Sequence, residues 1–189
     1  MAKKYNKLSL DAYKAIQFDS GMLLRSFTPA NPAIPAPASW ISATSGGLKI
    51  NLTPTLVDLS DGVDLAPANT MELKKSTGWL CTIGATLLEM TPETFALALG
   101  SSDLDSQTGK ITPRGLQLTD FVDHIWWVGE RNDDTIIAID LQHVLSTNGA
   151  AITTAKNNNG TLEITLTAHL TLAAEDYTVA PIDIYVIEV

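Results

Sequence analysis

The cleanest alternation of apolar and polar residues runs through Thr161-Leu-Glu-Ile-Thr-Leu-Thr-Ala-His-Leu-Thr171. Leu162, Ile164, Leu166, Ala168 and Leu170 face one way, while Thr161, Glu163, Thr165, Thr167, His169 and Thr171 face the other. A period of two marks a strand with one face on a core. Gly47-Leu-Lys-Ile-Asn-Leu-Thr53 repeats the pattern, setting Leu48, Ile50 and Leu52 against Lys49, Asn51 and Thr53. Residues 78–89 put Trp79, Cys81, Ile83, Ala85 and Leu87 on a shared face. Further strands are predicted over 120–128, 135–144, 150–155 and 182–189.

The period changes once. Thr91-Pro-Glu-Thr94 starts a short helix, with Thr91 as its cap, Pro92 at the first helical position and Glu93 near the positive end of the dipole; Gly100 ends it. Residues 101–109 read as a polar turn region, and Asn157-Asn-Asn-Gly160 as a turn. The connection over 57–71 is long and acidic, and Gly62 and Pro67 punctuate it. Connections of that length in a folded domain usually have a task.

The first forty residues differ from the rest. Residues 15–24 read as two short extended pieces around a turn at Gly21, and four prolines follow between Pro29 and Pro37. Such a run cannot donate to a sheet ladder and favours extended geometry. The predicted fold is mainly β: an antiparallel β-sandwich or partly closed barrel with one short flanking α-helix, an N-terminal extended arm and a long inter-strand loop. Residues 1–39 form the arm and proline-rich segment, and 40–189 the sandwich.

Composition narrows the function. With 45% hydrophobic and 17% charged residues the chain can build a core. Twelve basic against twenty-one acidic residues leave a net charge of −9, which disfavours direct binding of nucleic acid. The lone Cys81 permits no internal disulfide, and neither a signal peptide nor a membrane span is expected. Folding in a reducing cytoplasm is therefore expected, with the sequons at Asn51 and Asn159 arising by chance.

The residues give little support to catalysis. No Gly-x-Ser-x-Gly, phosphate loop or dinucleotide fingerprint occurs. Cys81 lies on an apolar strand face, where a buried inert thiol is expected. His124, His143 and His169 are scattered without metal-ligand spacing, and Asp103-x-Asp105 lacks the rest of a calcium loop. For Asp58, Asp61 and Asp64 a solvated acidic loop is favoured over a shared cation. No enzyme activity, catalytic residue, metal or cofactor is expected. The adjacent Trp126 and Trp127 must point to opposite faces, so one of them needs cover from the helix, the arm or a partner.

From about Ser45 to the C-terminus, a series of short strings carries a resemblance. They are Gly46-Gly-Leu-Lys-Ile-Asn-Leu-Thr-Pro-Thr55, Glu72-Leu-Lys-Lys-x-x-Gly-Trp79, Cys81-Thr-Ile-x-Ala-Thr86 and Thr91-Pro-Glu-Thr94. Ile111-Thr-Pro-Arg114, Asp120-Phe-x-Asp-His-Ile-Trp-Trp-Val-Gly-Glu130, Leu145-Ser-Thr-x-Gly149 and Thr167-x-His169 follow in order. In order and spacing, over some three-quarters of the chain, they resemble the major tail-tube proteins of long-tailed phages, particularly those infecting Gram-positive bacteria. The resemblance implies a structural virion protein, assembled in the bacterial cytoplasm and located in the virion tail. Hexameric rings would join their inner sheets into one barrel and stack into a tube for DNA delivery.

The implied partners are other copies of the chain, a tape-measure protein and tail-completion proteins, with double-stranded DNA as transiting cargo, not a bound ligand. No membrane partner is implied. Thr161, Glu163, Thr165, Thr167 and His169 become candidates for an acidic, hydroxyl-rich lumen wall; an ordinary solvent face is the equal alternative. Asp58, Asp61, Asp64, Leu65 and Met71 of the long loop, with Lys3, Lys4 and Lys7 of the arm, become candidate inter-ring contacts. Residues 161–171 and 182–189 carry few charges or prolines of the kind that guard sheet edges, so both are expected to pair with other copies. The competing readings are a non-polymerising β-sandwich virion protein (capsid decoration or tail completion) and a monomeric glycan-binding module.

Overall fold

The computed structural model describes residues 9–17 and 19–188. In chain order its elements are α1 (Leu10–Lys14), β1 (Met22–Leu24), β2 (Thr44–Asp58), β3 (Lys74–Leu87), α2 (Pro92–Leu99), β4 (Ser102–Asp105) and β5 (Lys110–Pro113). They continue with β6 (Val122–Glu130), β7 (Ile136–Ser146), β8 (Ala151–Thr153), β9 (Thr161–Thr167) and β10 (Ile182–Ile187). The fold is mainly β, its strand pairs are antiparallel, and the sheet does not close into a barrel.

Two four-stranded halves face each other. One runs β1-β6-β7-β10; the other runs β2-β3-β9-β8. Strand β7 belongs to both. It pairs with β6 and β10 along most of its length, then crosses over so that Leu145 and Ser146 meet Thr167 and Leu166 of β9. His143 sits at this crossing with a φ of 47°, a left-handed conformation that lets the strand turn from one half to the other.

The alternation read from the sequence fills the space between the halves. Cys81, Ile83, Ala85 and Leu87 of β3 and Leu162, Ile164 and Leu166 of β9 meet Ile125, Trp127, Ile139 and Leu141 from the opposite half. Leu48, Ile50 and Leu52 of β2 pack against this core from its margin. Helix α2 closes one end. Thr91 caps it reciprocally, accepting from the Thr94 amide at 3.2 Å while the Thr94 hydroxyl accepts from the Thr91 amide at 2.9 Å. Gly100 ends the helix at a φ of 75°, and a Cβ there would lie 2.5 Å from the carbonyl oxygen of Ser146. Only glycine fits.

Several elements differ from the sequence expectation. Region 101–109 is not only a turn: β4 and β5 make a hairpin of their own. In the segment 15–24, Gln17 makes a single antiparallel bridge to Arg131 and Gly21 turns at a φ of 70° into strand β1; the short helix α1, not expected, precedes it. Leu23 and Leu24 are fully buried, and the chain's return at Ser39–Ile41 bonds to β1, so this part of the expected arm is woven into its own sheet. Strand β9 stops at Thr167. Beyond it the Ala168 amide still reaches Cys81, but the His169 amide turns to Gln142 of the other half, which leaves Leu170 outside.

Candidate assembly surfaces

The long connection over 57–71 is the tip of a ribbon, not a loop lying on the surface. Strands β2 and β3 stay paired from Leu48 and Ala85 out to Asp58 and Lys74, with one bulge-like shift where Thr55 faces Gly78 and Leu56 faces Ser76, so that Thr77 is skipped. The opposing half covers only the inner part of this ladder. From Thr53 and Leu80 outward the cover thins, so Leu56, Val57, Trp79 and Leu80 are exposed, while Ser76 and Gly78 keep partial cover and the Tyr177 carbonyl lies near Gly78. Trp79 shares a face with Cys81 but lies past the edge of the core, which is why the expected burial fails. At the tip, Leu59, Val63, Leu65 and Met71 are exposed as well, and Leu65 is fully so with a φ of 66°. A solvent-facing leucine held in the left-handed region goes against both solvation and backbone preference.

The candidate inter-ring residues separate into two groups. Asp61, Asp64, Leu65 and Met71 lie outward on the tip. Asp58 turns inward: its carboxylate accepts from the Ser60 amide and hydroxyl at 3.0 and 2.6 Å and from the Lys74 ammonium at 2.7 Å. The Lys74 and Ser60 bonds hold this carboxyl well below the usual carboxylate range. Asp58 therefore shapes the tip from within; direct contact is left to the outward group. Lys3, Lys4 and Lys7 lie outside the described residues.

Of the candidate lumen residues, Thr161, Glu163 and Thr165 lie on the outer face of the β2-β3-β9-β8 half, and Thr167 points the same way but is buried there. Register aligns Thr161 with Thr153, Glu163 with Ala151 and Thr86, Thr165 with Gly84, and Thr167 with Thr82. Lys49 and Asn51 continue these rows onto β2. Hydroxyls and amides tie the surface together: Thr147 and Thr167 are 2.8 Å apart, and Asn148 donates to Thr165 at 3.1 Å. Lys49 and Glu163 are the charged members of these rows, so the face is hydroxyl-rich and close to neutral, not acidic. His169 does not belong to it. Its ring stands edge-on to Phe121 at 5.1 Å, and its Nδ1 lies 3.1 Å from the His143 carbonyl oxygen.

The edges fall differently from expectation too. Strand β9 is interior, with β3 on one side and β8 and the end of β7 on the other. Ile182–Ile187 is an edge, since β10 pairs with β7 alone. The longest open edge is the fifteen-residue β2, which pairs with β3 alone. At the far side of the same half, β8 is short and exposed.

Other groups singled out in the sequence have local partners. Trp127 enters the main core, and the proximal chain covers Trp126: Phe27 lies 5.7 Å from it, with Leu24 and Ala138 beside it. Cys81 is fully buried, and burial pushes its thiol upward. Asp105 accepts from the Gln107 amide and the Thr108 hydroxyl, while Asp103 takes the Arg114 guanidinium at 2.6 Å. Arg114 also grips Asp120 through two bonds of 2.8 and 2.7 Å.

Sequence reading missed the pair between His124 Nδ1 and the buried Asp140, 2.8 Å apart. Burial pushes the Asp140 carboxyl upward, against the His124 bond. No spacing rule links a half-exposed histidine to a carboxylate on the next strand; only the β6–β7 register does. Among the described residues, no group of three His, Cys, Asp or Glu is placed to hold a metal, and no helix is long and apolar enough to cross a membrane. A scan against protein-family models finds no match, and a search of curated proteins finds none either.

Proposed function

We propose that this chain is a structural subunit that assembles with copies of itself into stacked hexameric rings, forming the tail tube of a phage virion through which DNA passes. The observation that carries the reading is the bare ribbon. Its outer strands and tip leave apolar side chains exposed on both sides, Leu65 and Met71 most of all. Apolar side chains left in solvent on a projecting element are a mark of protein–protein contact.

The open sheet edges supply the ring. In the β2-β3-β9-β8 half, the long free edge of β2 and the short edge of β8 lie at opposite sides, so one copy can offer the first to the second of its neighbour. Such a heterologous contact closes into a ring when the rotation permits. Six copies of a four-stranded wall, at ~4.8 Å spacing and ~40° tilt, give a circumference of roughly 150 Å and a backbone diameter of roughly 48 Å. A DNA duplex passes through such a channel.

The hydroxyl-rich face would line it. Threonines with one lysine and one glutamate offer phosphates no basic track, so the polymer slides without being held. Catalysis and cofactor chemistry have no part in this reading.

The direct test is electron microscopy of the concentrated protein, with sedimentation across a concentration series. Hollow tubes with six-fold cross-sections are expected. A species that stays monomeric at every concentration and salt condition would exclude the tube.

A further inference from the structure

The tip is ordered by one carboxylate. Asp58 is the last residue of β2 and faces Lys74, the first of β3, so the two mark the neck from which residues 59–73 emerge. Besides Ser60 and Lys74, Asp58 accepts from the Asn69 amide at 3.3 Å, and Lys74 also donates to the Asn69 side-chain oxygen at 2.8 Å. The clasp thus reaches both ends of the tip: Ser60 just after the neck and Asn69 near the return. Asn69 has a φ of 62°, and the Thr70 hydroxyl fastens the same turn to the Pro67 carbonyl at 2.6 Å. Charge-assisted bonds of this kind are about twice as strong as neutral ones.

What the clasp presents is apolar. Val63, Leu65 and Met71 stand in solvent, 50%, 103% and 80% exposed. Fixing such side chains outward costs solvation and chain entropy, which a segment without a docking task has no reason to meet. When a knob on a projecting element seats on a different surface of a second copy, the contact is heterologous and can propagate along a stack.

On the tube reading given above, we propose that Asp58 is the positioning residue of the contact between rings. It holds the tip in the shape that offers Leu65, Val63 and Met71 to a second copy in the next ring. It does not touch that copy itself. Ring closure, which uses the sheet edges, does not depend on it.

The test compares the full chain with Asp58→Ala, Asp58→Asn and Lys74→Arg. In the unassembled protein, hydrogen exchange at residues 59–73 is expected to quicken at least tenfold in Asp58→Ala, with β9 unchanged. The protein concentration needed for tubes should rise at least tenfold while single rings persist. Asp58→Asn, which keeps the size of the side chain, and Lys74→Arg, which keeps the charge but changes how it is presented to Asp58 and Asn69, should both fall between the parent and Asp58→Ala in both readouts.

Unchanged exchange would show that no clasp exists. Looser exchange with tubes forming at the parent concentration would show that tip order does not position the contact. Loss of rings together with tubes would also overturn the proposal. Absence of tubes in the parent itself would instead overturn the tube reading, with the exchange result still judging the clasp.

Discussion

The two halves of the β2–β3 ribbon belong to one antiparallel ladder, yet they meet opposite fates. In the inner half Cys81, Ile83 and Leu87 are wholly buried between sheets. In the outer half Trp79 and Leu56, on the same two strands, stay in solvent. One shift in strand geometry sets the outer half apart, where β3 skips Thr77 between Gly78 and Ser76, but it does not remove cover from Trp79, which lies inside it. The difference lies across the gap, because the β1-β6-β7-β10 half ends before the ribbon does. Alternation therefore states which face a residue takes, while burial depends on a second sheet being present. A strand that outruns its partner sheet carries an apolar face that only another chain can cover.

The sharpest way to break this comparison is to shorten one side chain in each half. Ile83→Ala should cost about 2–5 kcal/mol in chemical unfolding, since it opens a cavity among close-packed neighbours. Leu56→Ala should change unfolding by less than about 0.5 kcal/mol in the unassembled chain. Equal losses would mean that both halves are packed. Next in size is Gly100→Ala, at the junction of α2 with the core. A methyl group there meets the Ser146 carbonyl, and the φ of 75° disfavours any L side chain. A loss of about 1–3 kcal/mol is expected; full parental stability would contradict the geometry at that junction.

Much of the body was legible because its signals are local. Period-two runs located β2, β3 and β9, and Thr91-Pro-Glu-Thr94 located α2. Ribbon length was not legible: the apolar side chains at 56–59 and 63–65 lie among acids, Gly62 and Pro67, and read as a loop. The β4–β5 hairpin was hidden because Asp103 and Asp105 look like turn residues, although Asp103 in fact receives Arg114. Edge status is a property of the assembled sheet. β9 looked unguarded because it is interior, whereas β2, with Pro54 in its middle, is the true edge. Among the proposed contact residues, type and loop position singled out Leu65 and Met71, but the inward turn of Asp58 depends on Lys74, sixteen residues away.

A smaller effect tests the body's closed end. Thr91→Ala removes the hydroxyl that accepts from the Thr94 amide and breaks the reciprocal cap. A loss of about 1 kcal/mol is expected in thermal or urea unfolding. Thr91→Ser keeps the acceptor and should recover more than half of it. If serine and alanine were equally destabilising, the methyl packing of Thr91, and not its cap, would be what matters.

The smallest expected effect is the most informative about the outer half. Leu56 and Val57 are consecutive strand residues, so they point to opposite sides of the ribbon, and both are exposed. Replacing both with serine removes apolar surface from each side without opening a cavity, because no cavity wall exists there. In the unassembled chain the unfolding free energy should stay within about 0.5 kcal/mol of the parent. If the bare ribbon is an assembly surface, the same double substitution should raise the concentration at which assemblies appear by sedimentation, since it removes area that only another copy would bury. A stability loss above about 1 kcal/mol would show that the ribbon packs on its own chain. Unchanged stability together with unchanged assembly would leave Leu56 and Val57 outside both the fold's energetics and the contact, confining the working surface to the tip.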